Sequence, residues 1–116
     1  MDDLDALRTR AAHNQSLFRE VNERIASLQG RKSAATISAY ICECLDDQCT
    51  GTLEITHDAY EQLRQRGTRF LVLPGHDDPA VEDIVEAGEH YLIVEKIGIA
   101  AEVAESMNPR KVESAA

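Results

Sequence analysis

Residues 36–55 read TISAYICECLDDQCTGTLEI, and this stretch predicts a β-hairpin that carries all three cysteines of the chain near its turn. Residues 36–42 are rich in β-branched and aromatic side chains, which favours a strand. Residues 44–51 are polar and predict a loop, and residues 52–55 predict a second short strand. Because the two ends of a hairpin loop are already paired, we expect the thiols to lie close together.

The three cysteines form a C-x-C-x4-C pattern made of Cys42, Cys44 and Cys49. Only the thiolate is a strong metal ligand, and zinc prefers four sulfur or nitrogen ligands in a tetrahedron. The pattern therefore predicts a metal site with Zn2+ as the cofactor. A redox dithiol and three incidental thiols are the alternatives. The odd number of cysteines excludes a complete disulfide framework.

The fourth ligand must come from another part of the chain. His76 follows the Pro74-Gly75 pair at the end of a predicted strand, where a tight turn would fix the imidazole. Asp77 beside it could accept a hydrogen bond from the other ring nitrogen, as second-shell carboxylates often do. His57, in the first turn of the next predicted helix, is the alternative fourth ligand. A closed Cys3His set would make the site structural rather than catalytic.

After the hairpin, the sequence alternates between patterns typical of helices and patterns typical of strands. Helices are predicted at 56–66, 78–87 and 99–107, and strands at 69–73 and 90–97. An acidic run lies in and just after the second of these helices and predicts a solvated helix face, formed by Glu82, Asp83, Glu86 and Glu89. The expected fold class is α+β, with a long N-terminal helix followed by a small mixed sheet of about four strands and three short helices.

The N-terminal segment is predicted to form one long helix that ends near Gly30. A heptad seam runs along it, made of Leu4, Leu7, Ala11, Asn14, Phe18, Val21, Ile25 and Leu28. The seam favours either a dimerising coiled coil, with Asn14 fixing the register, or an amphipathic helix that packs across its own sheet. The expected organisation is a helix at 1–30, a zinc-pinned domain at 34–110 and a disordered tail at 111–116.

Charge is distributed unevenly along the chain, whose formal net charge is −9. Residues 1–33 carry six bases and five acids, a net charge of +1, and the remaining residues carry six bases and sixteen acids, a net charge of −10. Residues 34–116, which we call the body, are therefore strongly acidic, and this charge argues against a nucleic-acid partner for the body. The sequence has no apolar run of about 18 residues and no basic-then-apolar leader, so we expect no membrane span and a cytoplasmic location.

Several stretches resemble a set of small actinobacterial proteins that share a C-x-C-x4-C … P-G-H signature and have no established activity. The matching stretches are FREVNERI at 18–25, ICEC at 41–44 with Cys49, RFLVLPGH at 69–76, YLIVEKIG at 91–98 and AAEVAE at 100–105. The resemblance implies that the three cysteines and His76 belong to one signature, which favours His76 over His57.

The sequence as a whole predicts a non-enzymatic regulatory or adaptor protein that acts by protein–protein interaction. A protein partner is expected, and a second copy bound through the N-terminal helix is one candidate. The alternative is a thiol-based redox or metal sensor that uses the same cysteines. A metal-dependent enzyme with an open zinc position is the third candidate, because no nucleophile–base pair is evident in the sequence.

Overall fold

The computed structural model describes residues 3–29, 35–46 and 48–110, and within the first helix it describes the side chains of His13 and residues 15–28. These residues form three helices and five strands. In chain order they are α1 (Asp3–Gln29), β1 (Ile37–Ile41), β2 (Thr52–Thr56), α2 (His57–Leu63), β3 (Arg69–Val72), β4 (Glu82–Ala87), β5 (Leu92–Lys96) and α3 (Gly98–Ser106). No helix among them is long and apolar enough to cross a membrane.

The strands form two separate antiparallel sheets. Strands β1 and β2 pair as the predicted hairpin, and the second sheet has the order β3-β5-β4. The α+β class is confirmed, but the single mixed sheet of about four strands with three short helices is wrong. Strands β4 and β5 are joined by a tight connection in which Gly88 N donates to Tyr91 O at 2.9 Å. Such a short connection permits only antiparallel pairing.

The predicted helix at 78–87 is wrong, because Glu82–Ala87 is strand β4. Asp78 does begin a turn, and its carbonyl oxygen accepts from the backbone N–H groups of Val81 and Glu82 at 3.0 Å. The helix does not continue, because Glu82 lies opposite Lys96 across the sheet. Their side chains form a buried ion pair at 2.6 Å. Glu82 is therefore not part of a solvated acidic face.

Helix α1 packs on the body with a different face from the predicted seam. The buried side chains are Gln15, Arg19, Asn22 and Ala26. Their spacing of 4, 3 and 4 is that of the seam, displaced by one residue, which rotates the buried face by about 100°. Of the predicted interaction residues, Val21 and Leu28 are 47% and 59% exposed, and Phe18 and Ile25 are half-buried. The side chains of Leu7 and Asn14 lie outside the described residues.

The core lies between the hairpin, helix α2 and the second sheet. The rings of Tyr40 and Tyr60 stack there at 4.5 Å with an interplanar angle of 10°. Helix α2 is oriented by Thr56, whose hydroxyl accepts from Ala59 N at 3.0 Å, as an N-cap residue does. This packing fixes the cysteine end of the hairpin beside the end of strand β3.

Candidate metal centre

The structure brings together the four residues predicted as ligands. The Sγ atoms of Cys42, Cys44 and Cys49 and a ring nitrogen of His76 all lie within 4.8 Å of one another, and the group could hold a metal ion. Cys42 and Cys44 are buried, Cys49 is half-buried and His76 is exposed. His57, the alternative fourth ligand, lies outside the cluster at the start of helix α2, where its backbone N–H donates to Thr36 O at 2.9 Å.

The cysteine loop is held by backbone hydrogen bonds that extend the hairpin. Cys42 N donates to Gly51 O at 2.9 Å, one residue beyond the end of strand β1. The loop then turns at Asp46, whose carbonyl oxygen accepts from Cys49 N at 3.0 Å. The Asp46 carboxylate also accepts from Gln48 N at 2.9 Å, in the manner of an Asx turn. Loop geometry therefore brings Cys49 back towards Cys42.

His76 is placed by the predicted Pro74-Gly75 turn. His76 N donates to Leu73 O at 2.9 Å, which closes a four-residue turn. Gly75 has a φ of 88°, and proline followed by a residue of positive φ is the pattern of a type II turn. The turn directs the imidazole back to the cysteines. The role of Asp77 as a hydrogen-bond acceptor for His76 stays a prediction.

The distances between the side chains fit a tetrahedral ion. His76 Nδ1 lies 3.7 Å from Cys42 Sγ and 3.6 Å from Cys49 Sγ. A tetrahedron with metal–sulfur bonds of about 2.3 Å and metal–nitrogen bonds of about 2.1 Å has sulfur–nitrogen edges of about 3.6 Å. Two edges of the cluster therefore match a zinc tetrahedron, and the donor set is that of a closed site with three sulfurs and one nitrogen.

Two backbone N–H groups point at cysteine sulfurs. Leu73 N donates to Cys42 Sγ at 3.2 Å, and Gly51 N donates to Cys49 Sγ at 3.5 Å. A Cβ atom at Gly51 would clash with Leu73 Cδ1, so a larger residue at this position would displace the Leu73 side chain. N–H donors of this kind stabilise a thiolate.

Burial opposes ionisation of the thiols in the metal-free chain. Desolvation raises the pKa of both Cys42 and Cys44, although a backbone N–H from Leu73 partly offsets the effect at Cys42. Three neighbouring thiolates also repel one another. A bound cation would remove both penalties, so the cluster is suited to a metal ion and poorly suited to free thiolates at neutral pH.

Sequence reasoning missed Glu43, the residue between the first two cysteines. It is fully buried, and its carboxylate accepts hydrogen bonds from Asn22 Nδ2 at 2.9 Å, Tyr60 Oη at 2.8 Å and Leu71 N at 2.9 Å. The guanidinium of Arg19 lies 3.8 Å from the same carboxylate. The buried charge is therefore both hydrogen-bonded and paired, as burial requires.

The backbone around Glu43 is bound as thoroughly as its carboxylate. Glu43 N donates to Leu71 O at 2.7 Å, and Gln15 Nε2 donates to Glu43 O at 2.6 Å. The side chain of Asn22 pairs with both backbone groups of Ile41: Ile41 N donates to Oδ1 and Nδ2 donates to Ile41 O, each at 2.8 Å. Asn22 of helix α1 thus binds the free edge of strand β1 at its last residue.

Arg19 completes this buried polar network. Its Nη1 atom donates to Gly67 O at 2.9 Å, and its guanidinium carbon lies 3.5 Å from the centroid of the Phe70 ring. Burial lowers the pKa of Arg19 to about 10, so the side chain stays charged at neutral pH. The positive charge balances Glu43 in a place that is closed to solvent.

One signal in the sequence does include the missed residues. The stretches 18–25 and 41–44, which carry the resemblance to small actinobacterial proteins, contain Arg19, Asn22 and Glu43. The resemblance itself stays a prediction, because comparisons of the chain with protein-family models, with curated proteins and with solved structures found no match.

Proposed function

We propose that the protein is a non-enzymatic adaptor in which Zn2+, bound by Cys42, Cys44, Cys49 and His76, holds the hairpin loop against the end of strand β3. The supporting observation is the set of sulfur–nitrogen distances of 3.6 and 3.7 Å, which match a zinc tetrahedron. Four protein ligands fill all four positions and leave none for a substrate or an attacking water. A structural site is therefore favoured over a metal-dependent enzyme.

Protein–protein interaction is the proposed mode of action, through the outward face of helix α1. Leu17, Val21 and Leu28 are each at least 47% exposed on this helix. A second copy of the chain is the first candidate partner, because the N-terminal segment is nearly neutral whereas two bodies of net charge −10 repel each other. Light scattering over a range of concentrations would detect the dimer, and Val21→Glu should dissociate it. A monomer at all concentrations would exclude the second copy.

Metal analysis tests the zinc site directly. We expect one zinc ion per purified chain, and Co2+ in its place should give the intense visible absorption of a tetrahedral thiolate site. Cys44→Ser should lose the metal and lower the free energy of unfolding, because the binding energy of a structural zinc is folding energy. Thr52→Ser, in the same hairpin, is the control. A metal-free wild type with the same stability would contradict the site.

A redox or metal sensor is the second candidate function. It is supported by the partial exposure of Cys49 and the exposure of His76, because an oxidant could reach the cluster from that side. Two thiolates and hydrogen peroxide would give a disulfide and two hydroxide ions, with release of the zinc. Treatment with a slight excess of peroxide, followed by metal and thiol analysis, separates the two functions. Retention of zinc and of all three thiols would exclude the sensor.

A further inference from the structure

We propose that zinc at the Cys3His cluster holds the central part of helix α1 on the body, and that Glu43 is the residue that links the metal site to the helix. This inference rests on the proposed zinc site and adds a regulated element to it. Glu43 lies between Cys42 and Cys44, so an ion bound to both cysteines fixes the backbone on either side of it. Leu71 and Tyr60 also bind Glu43, and the ion would add a constraint on both sides of it, so the contacts of Glu43 with helix α1 should weaken when the ion is lost.

The face of helix α1 that is buried against the body makes this dependence strong. Gln15, Arg19 and Asn22 are polar, and each is no more than 2% exposed. A buried polar group contributes little when it is bonded and is unfavourable when its partner is lost. The face therefore holds only while its partners keep their positions, unlike an apolar face, which tolerates small displacements.

Two of these three side chains bind the cysteine segment itself. Gln15 Nε2 donates to Glu43 O, and Asn22 Nδ2 donates to Glu43 Oε2. Asn22 also pairs with both backbone groups of Ile41, which directly precedes Cys42. The contacts thus lie within one residue of a metal ligand along the chain. Displacement of the loop on metal loss would break them together.

The C-terminal part of helix α1 has contacts that do not pass through Glu43. Glu23 binds Arg64 Nε at 2.6 Å and Arg110 Nε at 2.8 Å. Within residues 15–22, Arg19 also has such contacts, with Gly67 O and the Phe70 ring, whereas the hydrogen bonds of Gln15 and Asn22 go to Ile41 and Glu43. We therefore expect zinc loss to loosen residues 15–22 more than residues 23–28. Because Leu17 and Val21 lie in the loosened part, zinc would control the surface that helix α1 offers to a partner.

Hydrogen exchange of the full chain tests the coupling. The zinc-loaded protein is compared with the same protein after removal of the ion by a chelator. We expect amide exchange at residues 15–22 to accelerate more than tenfold, while strands β3 and β5 keep their protection. Unchanged exchange at residues 15–22 would overturn the proposal. Equal loss of protection in helix α1 and strands β3 and β5 would also overturn it, because zinc would then hold the whole fold.

Reciprocity gives a second test that uses only metal affinity. If zinc favours docking of the helix by some factor, loss of docking must weaken zinc binding by the same factor, typically about 5–150-fold. Asn22→Ala touches no metal ligand and should weaken Zn2+ binding within this range. Arg24→Ala, on the exposed side of the same helix, should not. Equal zinc affinity in wild type and Asn22→Ala would overturn the proposal.

A pair of glutamate variants separates the helix contact from the metal site. Glu43→Gln should keep one zinc ion per chain and speed amide exchange at residues 15–22. Glu86→Gln, at an exposed position, should also keep the zinc but leave exchange at residues 15–22 unchanged. Slow exchange at residues 15–22 in zinc-loaded Glu43→Gln would overturn the role of Glu43. A wild type that binds no Zn2+ overturns the proposed zinc site as well, so the two failures are distinguishable.

Discussion

The hydroxyl group of Tyr60 donates a hydrogen bond to Glu43 Oε2 at 2.8 Å in the fully buried core. Burial and the neighbouring carboxylate raise the pKa of Tyr60, so the phenol stays protonated and remains a donor. Helix α2 is thereby tied to the segment that carries the first two cysteines. A charged acceptor in a buried place makes this one of the stronger hydrogen bonds in the molecule.

Removal of this hydroxyl should destabilise the protein. Tyr60→Phe leaves the Glu43 carboxylate with one donor fewer, and a hydrogen bond to a buried charge contributes about 1.5–3 kcal/mol. Urea unfolding of the zinc-loaded protein should show a loss of this size. Tyr91→Phe is the matched control, because its hydroxyl bonds exposed Glu86 at the surface. Equal stability of Tyr60→Phe and wild type would contradict the assignment.

The second stacked tyrosine should respond in the opposite way. Tyr40 Oη is buried and has no hydrogen-bond partner in the part of the chain that the structure describes. An unsatisfied buried hydroxyl is unfavourable. Tyr40→Phe keeps the ring stacked on Tyr60, so its thermal midpoint should equal or exceed that of the wild type. A loss of more than about 1 kcal/mol would show that the hydroxyl does have a partner.

Two histidine variants identify the fourth ligand. His76→Ala removes a group whose Nδ1 lies 3.6 Å from Cys49 Sγ. We expect zinc affinity to fall by more than about a hundredfold, beyond the range reported for loss of a residue that only supports a ligand. His57→Ala should leave the affinity within a few-fold of wild type. Competition with a chromophoric chelator measures both, and the reverse order of effects would restore His57 as the ligand.

Zinc binding should release protons. Burial raises the pKa of Cys42 and Cys44 above the ordinary value of a thiol, so both are protonated in the metal-free chain at pH 7. Zinc binds them as thiolates and should therefore displace at least two protons, and its affinity should rise with pH. Calorimetry in buffers of different ionisation enthalpy counts the protons. A value near zero would mean that these thiols are not ligands.

Arg110 should stabilise the fold in a pH-dependent way. Its guanidinium binds Glu61 with two bonds of 2.8 Å and lowers the pKa of Glu61. A lowered carboxyl pKa stabilises the fold above the unfolded pKa, and this contribution is lost as the pH falls through the folded pKa. Both groups are partly exposed, so Arg110→Met should cost about 1 kcal/mol at pH 7. The difference from wild type should shrink below pH 4.5, and a constant difference would contradict the cause.

The sequence alone determined the structural elements that depend on residues close together in the chain. The hairpin, the C-x-C-x4-C loop and the Leu73–His76 turn follow from strand propensity and turn residues, which act over a few positions. The same local information predicted the helix cap at Thr56. It was wrong at Asp78-Pro79, a helix-start pair that is followed by a strand, and it placed the buried face of the first helix one residue away from the observed one.

The tertiary structure decided the features that depend on contacts between residues far apart in the chain, namely the fourth ligand and the buried face of helix α1. It brought His76 rather than His57 to the cysteines, across 27 to 34 positions of sequence. It also rotated helix α1 so that Gln15, Arg19 and Asn22 are buried while Val21 and Leu28 are exposed. Local patterning favours burial of the apolar residues. Only the folded chain places Glu43, Ile41 and Gly67 where those polar side chains can bond, and these bonds partly offset the penalty of burying the polar face.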